Sequence, residues 1–187
     1  MKNPVLFIHG FGGGAFEYEP IIRFLSERGT FKSYQFSYQE NLGQVSLRIL
    51  ARQLHEFICS NVSENEIDII ALSQGGIIAR LYIAQYDDIR VRKCITLCTP
   101  HHGSLLAYFG ILPGIKELQP SSILLKELDC TKARYFAVYN PFDLMVVPGW
   151  SGYLEEAEEN KRVWALFHPL TFFHPKTLRF IERVLGD

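Results

Sequence analysis

The sequence predicts an α/β protein, a mostly parallel sheet of about six strands with helices on both faces. Two observations carry that prediction. Short, predominantly apolar runs alternate with helical-period segments along nearly the whole chain, and the first of them, Pro4 to His9, is continuously apolar. Parallel strands need crossover helices and are buried on both sides, so alternation and continuous apolarity are two marks of one architecture.

Pro4 to His9 is the first apolar strand, and Tyr18 to Arg28 follows with Ile21, Ile22, Phe24 and Leu25 at helical spacing. Phe31 to Tyr38 alternates like a short strand, and Gln44 to Cys59 carries Val45, Leu47, Leu50, Leu54, Phe57 and Ile58 at helical intervals. Then come strand Ile67 to Leu72, helix Gly76 to Tyr86, strand Val91 to Cys98, helix Lys116 to Leu128, strands Arg134 to Tyr139 and Val163 to Phe167, and helix Lys176 to Leu185. There is no internal repeat, low-complexity tract or linker.

The 187 residues carry 19 basic and 20 acidic side chains, a net charge of −1, and are 48% hydrophobic, which fits one globular domain over residues 1–187. A folded chain of 21.5 kDa exposes roughly 9,000 Å², leaving ample surface for a core. The longest apolar stretch, Leu105 to Ile115, is broken by Gly110, Pro113 and Gly114, short of the ~18 residues of a membrane helix. The absence of a Lys/Arg run and of net positive charge argues against nucleic-acid binding. Met1-Lys2-Asn3-Pro4 enters the first strand without a signal-peptide h-region, so the expectation is a cytoplasmic protein, or a secreted one whose leader has been removed. Cys59, Cys94, Cys98 and Cys130 lack metal or redox spacing and read as reduced core or helix residues.

In parallel sheets chemistry gathers at the carboxyl ends of strands. After the third strand stands Ala71-Leu72-Ser73-Gln74-Gly75-Gly76, a serine between small residues two before and two after it, where a strand meets a helix. A nucleophile raised on so tight a turn needs small flanks to avoid a clash, and the following helix N-terminus favours developing negative charge. The bland alternative is a glycine turn with an exposed serine.

The first loop, His9-Gly10-Phe11-Gly12-Gly13-Gly14, supports two chemistries. As Gly10-x-Gly12-x-x-Ala15 after a strand it fits a dinucleotide fingerprint, with Glu40 available to a ribose. As His-Gly-x-Gly it fits a loop that offers a backbone N–H to an oxyanion. Only the second predicts an elbow serine downstream.

A serine needs a base and an orienting acid, which in this architecture follow it in the order acid, then histidine. Asp143 lies just past the strand ending at Tyr139, whereas Asp87, Asp88 and Asp129 sit on or beside helices and look like solvated surface. Beyond Asp143 stand only His168, at a strand end, and His174, before Pro175 at a helix start; strand-end position favours His168. His101 and His102 suggest a metal only if other ligands join them, and the sequence places none. Leu105 to Ile115 is apolar enough to line an acyl pocket or touch lipid, and equally to pack in the core.

Together these segments resemble the α/β-hydrolases, in particular small bacterial triacylglycerol lipases and esterases without a large lid domain. Asn3 to Gly13 is similar to their oxyanion segment, Ala71 to Gly76 to their elbow and Thr99-Pro100-His101-His102-Gly103-Ser104 to their Thr-Pro-His-x-Gly turn. Tyr139 to Val147 resembles the acid loop and His168 to Pro175 the histidine loop; Leu72 and Phe167 depart where histidine and glycine often stand. The resemblance implies Ser73 as nucleophile, Asp143 as acid and His168 as base, with the backbone N–H groups of Phe11 and Gln74 as oxyanion hole, and neither cofactor nor metal. The expected activity is hydrolysis of carboxylic esters of small molecules or lipids, with possible lipid contact through Leu105 to Ile115. Thioesterase or acyltransferase chemistry on the same triad, and a non-hydrolytic dinucleotide- or partner-binding domain, are the alternatives.

Overall fold

The computed structural model describes residues 3–86, 90–128 and 132–187; Met1, Lys2, Asp87, Asp88, Asp129 and Cys130 lie outside them. Six strands form one parallel sheet in the order β2-β1-β3-β4-β5-β6: β1 (Val5–Ile8), β2 (Ser33–Phe36), β3 (Ile67–Leu72), β4 (Val91–Leu97), β5 (Arg134–Tyr139) and β6 (Glu159–Arg162). Alternate residues of each inner strand feed two apolar layers. Leu6, Ile8, Ile69 and Ala71 point to one face, under α2 (Leu47–Asn61) and α3 (Gln74–Gln85). Val5, Phe7, Ile70, Leu72, Ile95 and Leu97 point to the other, under α1 (Glu19–Ser26) and the C-terminal α7 (Pro175–Gly186).

Local chemistry sets the helix ends. Ser46 caps α2 by accepting from Arg48 N, and the Glu117 carboxylate lies on the same terminus, accepting from Ser46 Oγ and Leu47 N at 2.6 Å each. An anion there suits the free N–H groups and the helix dipole. In α3 every residue from Gln74 to Ile83 is buried, so this helix is core on all sides. His174 caps α7, its Nδ1 accepting from Lys176 N.

Two predicted elements differ. The helix expected over Lys116 to Leu128 is a pair of single turns, α4 (Pro113–Lys116) and α5 (Ile123–Lys126). Pro120 lies between them, and a proline disfavours helical backbone at the residue before it while lacking the N–H to continue. The strand expected over Val163 to Phe167 is instead β6 at Glu159–Arg162, and His168 opens α6 (His168–Phe173). β6 is an edge strand, which accounts for its polar sequence: Glu159 pairs with Arg183 of α7 at 2.6 Å, and Asn160 exchanges two bonds with the Leu154 backbone.

The register aligns Ile8 with Ala71, Leu72 with Leu97 and Leu97 with Val138. The loops after β1, β3, β4 and β5 therefore leave the sheet side by side along one rim.

Candidate active site

Ser73, at the end of β3, has φ of 49° and ψ of −123°, a conformation that L residues avoid and that the surroundings must enforce. Its N–H donates to Leu97 O at 2.8 Å, tying the turn to the neighbouring strand. Two residues on, a Cβ on Gly75 would lie 2.5 Å from His9 O and 2.8 Å from Ile8 O, so only glycine lets α3 start this close to β1. Ser73 is half-buried and opens onto a cavity. Gln74 is the first residue of α3, and its N–H consequently has no carbonyl one turn earlier in the helix.

Asp143 and His168 meet in the loops beyond β5 and β6. His168 Nδ1 donates to Asp143 Oδ2 at 2.6 Å, with 4% and 5% of the two residues exposed. Asp143 Oδ1 accepts from the N–H groups of Met145 and Val146 at 2.8 and 2.9 Å. Burial by itself would raise the Asp143 pKa; His168 and the two N–H donors outweigh it and hold the pKa below the ordinary value. His168 Nε2, the nitrogen opposite the bond to Asp143, is buried and bonds to nothing else among the described residues.

Asn140 staples the two loops together. Its Nδ2 donates to Ala165 O at 2.9 Å and Thr171 Oγ1 at 3.3 Å, while its Oδ1 accepts from Phe142 N at 3.1 Å. Cys98 also has positive φ, and its Sγ lies within 4.8 Å of ligand atoms of both Asp143 and His168. Burial and the Asp143 charge push the Cys98 thiol pKa well up, so the residue stays a neutral thiol beneath the pair. The sequence marked Cys98 as core, which it is, without any sign that it touches the site. Cys94 is buried as expected, and Cys59 lies exposed on α2.

The other histidines do structural work. His101 is buried between Arg80 Nη1 at 3.1 Å and Thr96 Oγ1 at 3.0 Å, and burial together with Arg80 drives its pKa well down. His102 faces Glu155, Nε2 to carboxylate 3.0 Å. The adjacent pair thus engages different partners. His9 is fully buried, stacked on Tyr38 with ring centroids 4.0 Å apart, and burial lowers its pKa.

The glycine loop runs into a 3-10 turn (Ala15–Glu17) and not directly into a long helix, and the N–H of Gly10 is taken by the Glu17 carboxylate at 2.8 Å. That N–H is thus already satisfied by an internal carboxylate and is not free for a phosphate, which counts against the dinucleotide fingerprint. Phe11, from this loop, instead joins Ser73 and Gln74 in lining a cavity of about 230 Å³. Apart from Ser104, its remaining wall is apolar, formed chiefly by Pro100, Leu106, Ala107, Ile115, Leu118, Met145 and Val146. Leu105 to Ile115 divides its labour, with Leu106, Ala107 and Ile115 inward and Phe109 and Ile111 left 87% and 82% exposed. A second apolar cleft is lined by Phe142, Leu144, Trp164, Ala165 and Leu166.

Solved structures share this fold. A mature-form lipase of Bacillus licheniformis is 17% identical with TM-score 0.77, covering 98% of this chain and 92% of its own. A monoacylglycerol lipase of Paleococcus ferrophilus is 18% identical with TM-score 0.70, over 97% and 91%. Aspergillus fumigatus lipase B is 15% identical with TM-score 0.85 over the whole chain, which spans 53% of that protein. A search of curated protein sequences finds no significant match. The palmitoyl protein thioesterase family matches residues 4–161, a stretch that includes Ser73 and Asp143 and ends before His168. With most of its length matched by that family and its sheet shared with lipases, the chain belongs to the palmitoyl protein thioesterase family and is an α/β-hydrolase of the lipase, esterase and thioesterase type.

Proposed function

We propose that the chain is a serine hydrolase of carboxylic esters. Ser73 Oγ attacks the acyl carbon while His168 Nε2 takes its proton, and Asp143 holds the imidazole by Nδ1 and stabilises its charged form. The N–H groups of Phe11 and Gln74 receive the oxyanion, the leaving alcohol takes the proton back from His168, and water then hydrolyses the acyl-enzyme by the same route in reverse. The observation that carries this reading is the buried 2.6 Å bond between His168 and Asp143 on the rim that also bears the strained Ser73.

The apolar cavity beside Ser73 suits an acyl chain, and the exposed Leu105, Tyr108, Phe109 and Ile111 of the adjoining segment suit a lipid substrate. The family match favours a second reading, hydrolysis of thioesters, in which a thiolate replaces the alkoxide as leaving group.

The test is labelling of wild type and Ser73→Ala with a fluorophosphonate, followed by kinetics on oxygen esters and thioesters of matched chain length. Labelling confined to wild type, with oxygen esters turned over, is expected. A well-folded wild type that neither labels nor turns over either series would overturn the proposal, and turnover restricted to thioesters would replace it with the second reading.

A further inference from the structure

The peptide that carries the Phe11 N–H is gripped on several sides. Its carbonyl half, Gly10 O, lies 2.9 Å from His9 Nδ1, while Tyr38 OH donates chiefly to His9 O, one peptide earlier, at 3.0 Å and lies 3.4 Å from Gly10 O. His9 Nε2 accepts from Tyr38 N at 3.3 Å, so the Nδ1–H tautomer satisfies both ring nitrogens. On the far side, Gly12 N donates to Asn41 O at 2.9 Å and Asn41 Nδ2 donates to Gly13 O at 2.8 Å. The near side is held by Glu17, whose Oε2 accepts from Gly10 N at 2.8 Å.

Glu17 is an unusual choice for that task. Burial raises its pKa, and it contributes charge to the surroundings of Tyr18, Tyr38 and His168. The loop lies close against it: a Cβ on Gly13 would meet the carboxylate, so a side chain there would displace Glu17. A backbone N–H stabilises an oxyanion only when it is aimed before the charge develops, and that aim depends on the peptides flanking it.

The geometry points to Glu17 as a positioning residue: by fixing the Gly10 amide behind Phe11, it holds the Phe11 N–H on the carbonyl oxygen of the reacting ester. This rests on the reading of Phe11 as an oxyanion donor. The effect belongs to the transition state, where the oxygen becomes charged, and so falls on kcat in preference to KM.

The experiment compares Glu17→Met, similar in length but without the acceptor, with Glu17→Gln, which keeps an acceptor and loses the charge. Active sites are counted by fluorophosphonate titration so that partial misfolding does not enter kcat, and circular dichroism checks the fold. Glu17→Met is expected to lower kcat about 10- to 100-fold with KM within about threefold, less than the 10²- to 10³-fold of deleting a donor outright. Affinity for a trifluoromethyl ketone, whose hemiketal oxygen occupies the same position, falls by the same factor, and Glu17→Gln recovers most of both losses. Unchanged kcat per titrated site in Glu17→Met, a loss confined to KM, or Glu17→Gln as impaired as Glu17→Met would each overturn the assignment. Should Glu17→Met not fold, the Glu17→Gln comparison of kcat and ketone affinity still decides it, since a loss there as large as deleting a donor assigns the effect to charge and not to the clamp. Absence of labelling in wild type would remove the triad reading itself, a separate failure.

Discussion

Replacing Asp143 by Asn tests the assembly at its most constrained point. The carboxylate accepts from His168 Nδ1 at 2.6 Å and from two backbone N–H groups, all in a site almost closed to water. Asn can keep Oδ1 on Met145 N and Val146 N, so the acid loop should hold its shape. Its Nδ2 then faces His168 and donates, forcing Nδ1 to accept and moving the ring proton to Nε2, where it blocks uptake of the Ser73 proton. The lost charge adds to this: an ion pair with charge centres ~4 Å apart at an effective dielectric near 20 is worth about 4 kcal/mol, roughly three decades in rate. With the wrong tautomer included, kcat should fall about 10⁴-fold. The assay is turnover of a p-nitrophenyl ester per folded molecule, with thermal melts run in parallel. A loss under about tenfold in a folded variant would mean that Asp143 does not orient the base.

Four further outcomes are expected. Gly75→Ala places its Cβ 2.5 Å from His9 O, against backbone that cannot yield, and should cost about 1–3 kcal/mol in chemical denaturation as well as activity; unchanged stability would contradict the close approach. Ala107→Phe fills the apolar cavity, so kcat/KM should drop about tenfold or more for octanoyl and longer esters and hold for acetyl esters; an unaltered chain-length profile would place the acyl group elsewhere. The two carboxyls titrate with opposite sign. The lowered pKa of Asp143 gives stability that is present above the unfolded carboxyl value and lost as pH falls through the folded value, so its advantage over Asp143→Asn should close below about pH 4. The raised pKa of Glu17 costs stability once pH rises through the folded value, so Glu17→Gln should melt higher than wild type at pH 8 and converge with it near pH 4; the reverse order at pH 8 would refute the burial effect.

The fold is legible in the sequence because the inner strands are buried on both faces and therefore mostly apolar, as Ile67 to Leu72 shows, where the lone polar residue Asp68 is buried against Arg92 at 2.8 Å. Ser73 is legible because an elbow requires small residues around it, a steric demand that composition records. Chain order leaves His168 and His174, and the strand end that favours His168 lies elsewhere: β6 has no apolar signature, since an edge strand bordered by ion pairs needs none, and it is the bond to Asp143 that singles out His168. Across Pro120 the spacing of Leu118, Leu124, Leu125 and Leu128 imitates one helix, and the local backbone constraint prevails over the period. Glu17 and Asn140 leave no trace in sequence. Their roles arise from contacts with Gly10, seven residues away, and with Ala165, twenty-five away, which no local pattern encodes.

The polar character of the outermost strands bears on how the protein behaves in company. β2 and β6 are only four residues each; Lys32, just ahead of β2, pairs with Glu64 at 2.6 Å, and β6 reads Glu159-Asn160-Lys161-Arg162. A foreign strand seeking the open backbone of either edge would have to strip water and partners from these charges, a barrier to edge-to-edge aggregation. The chain can therefore display an apolar rim around the Ser73 cavity while its sheet margins resist self-association. Neutralising Glu159 and Lys161 together would remove that protection from one margin and leave the rim around Ser73 as it is.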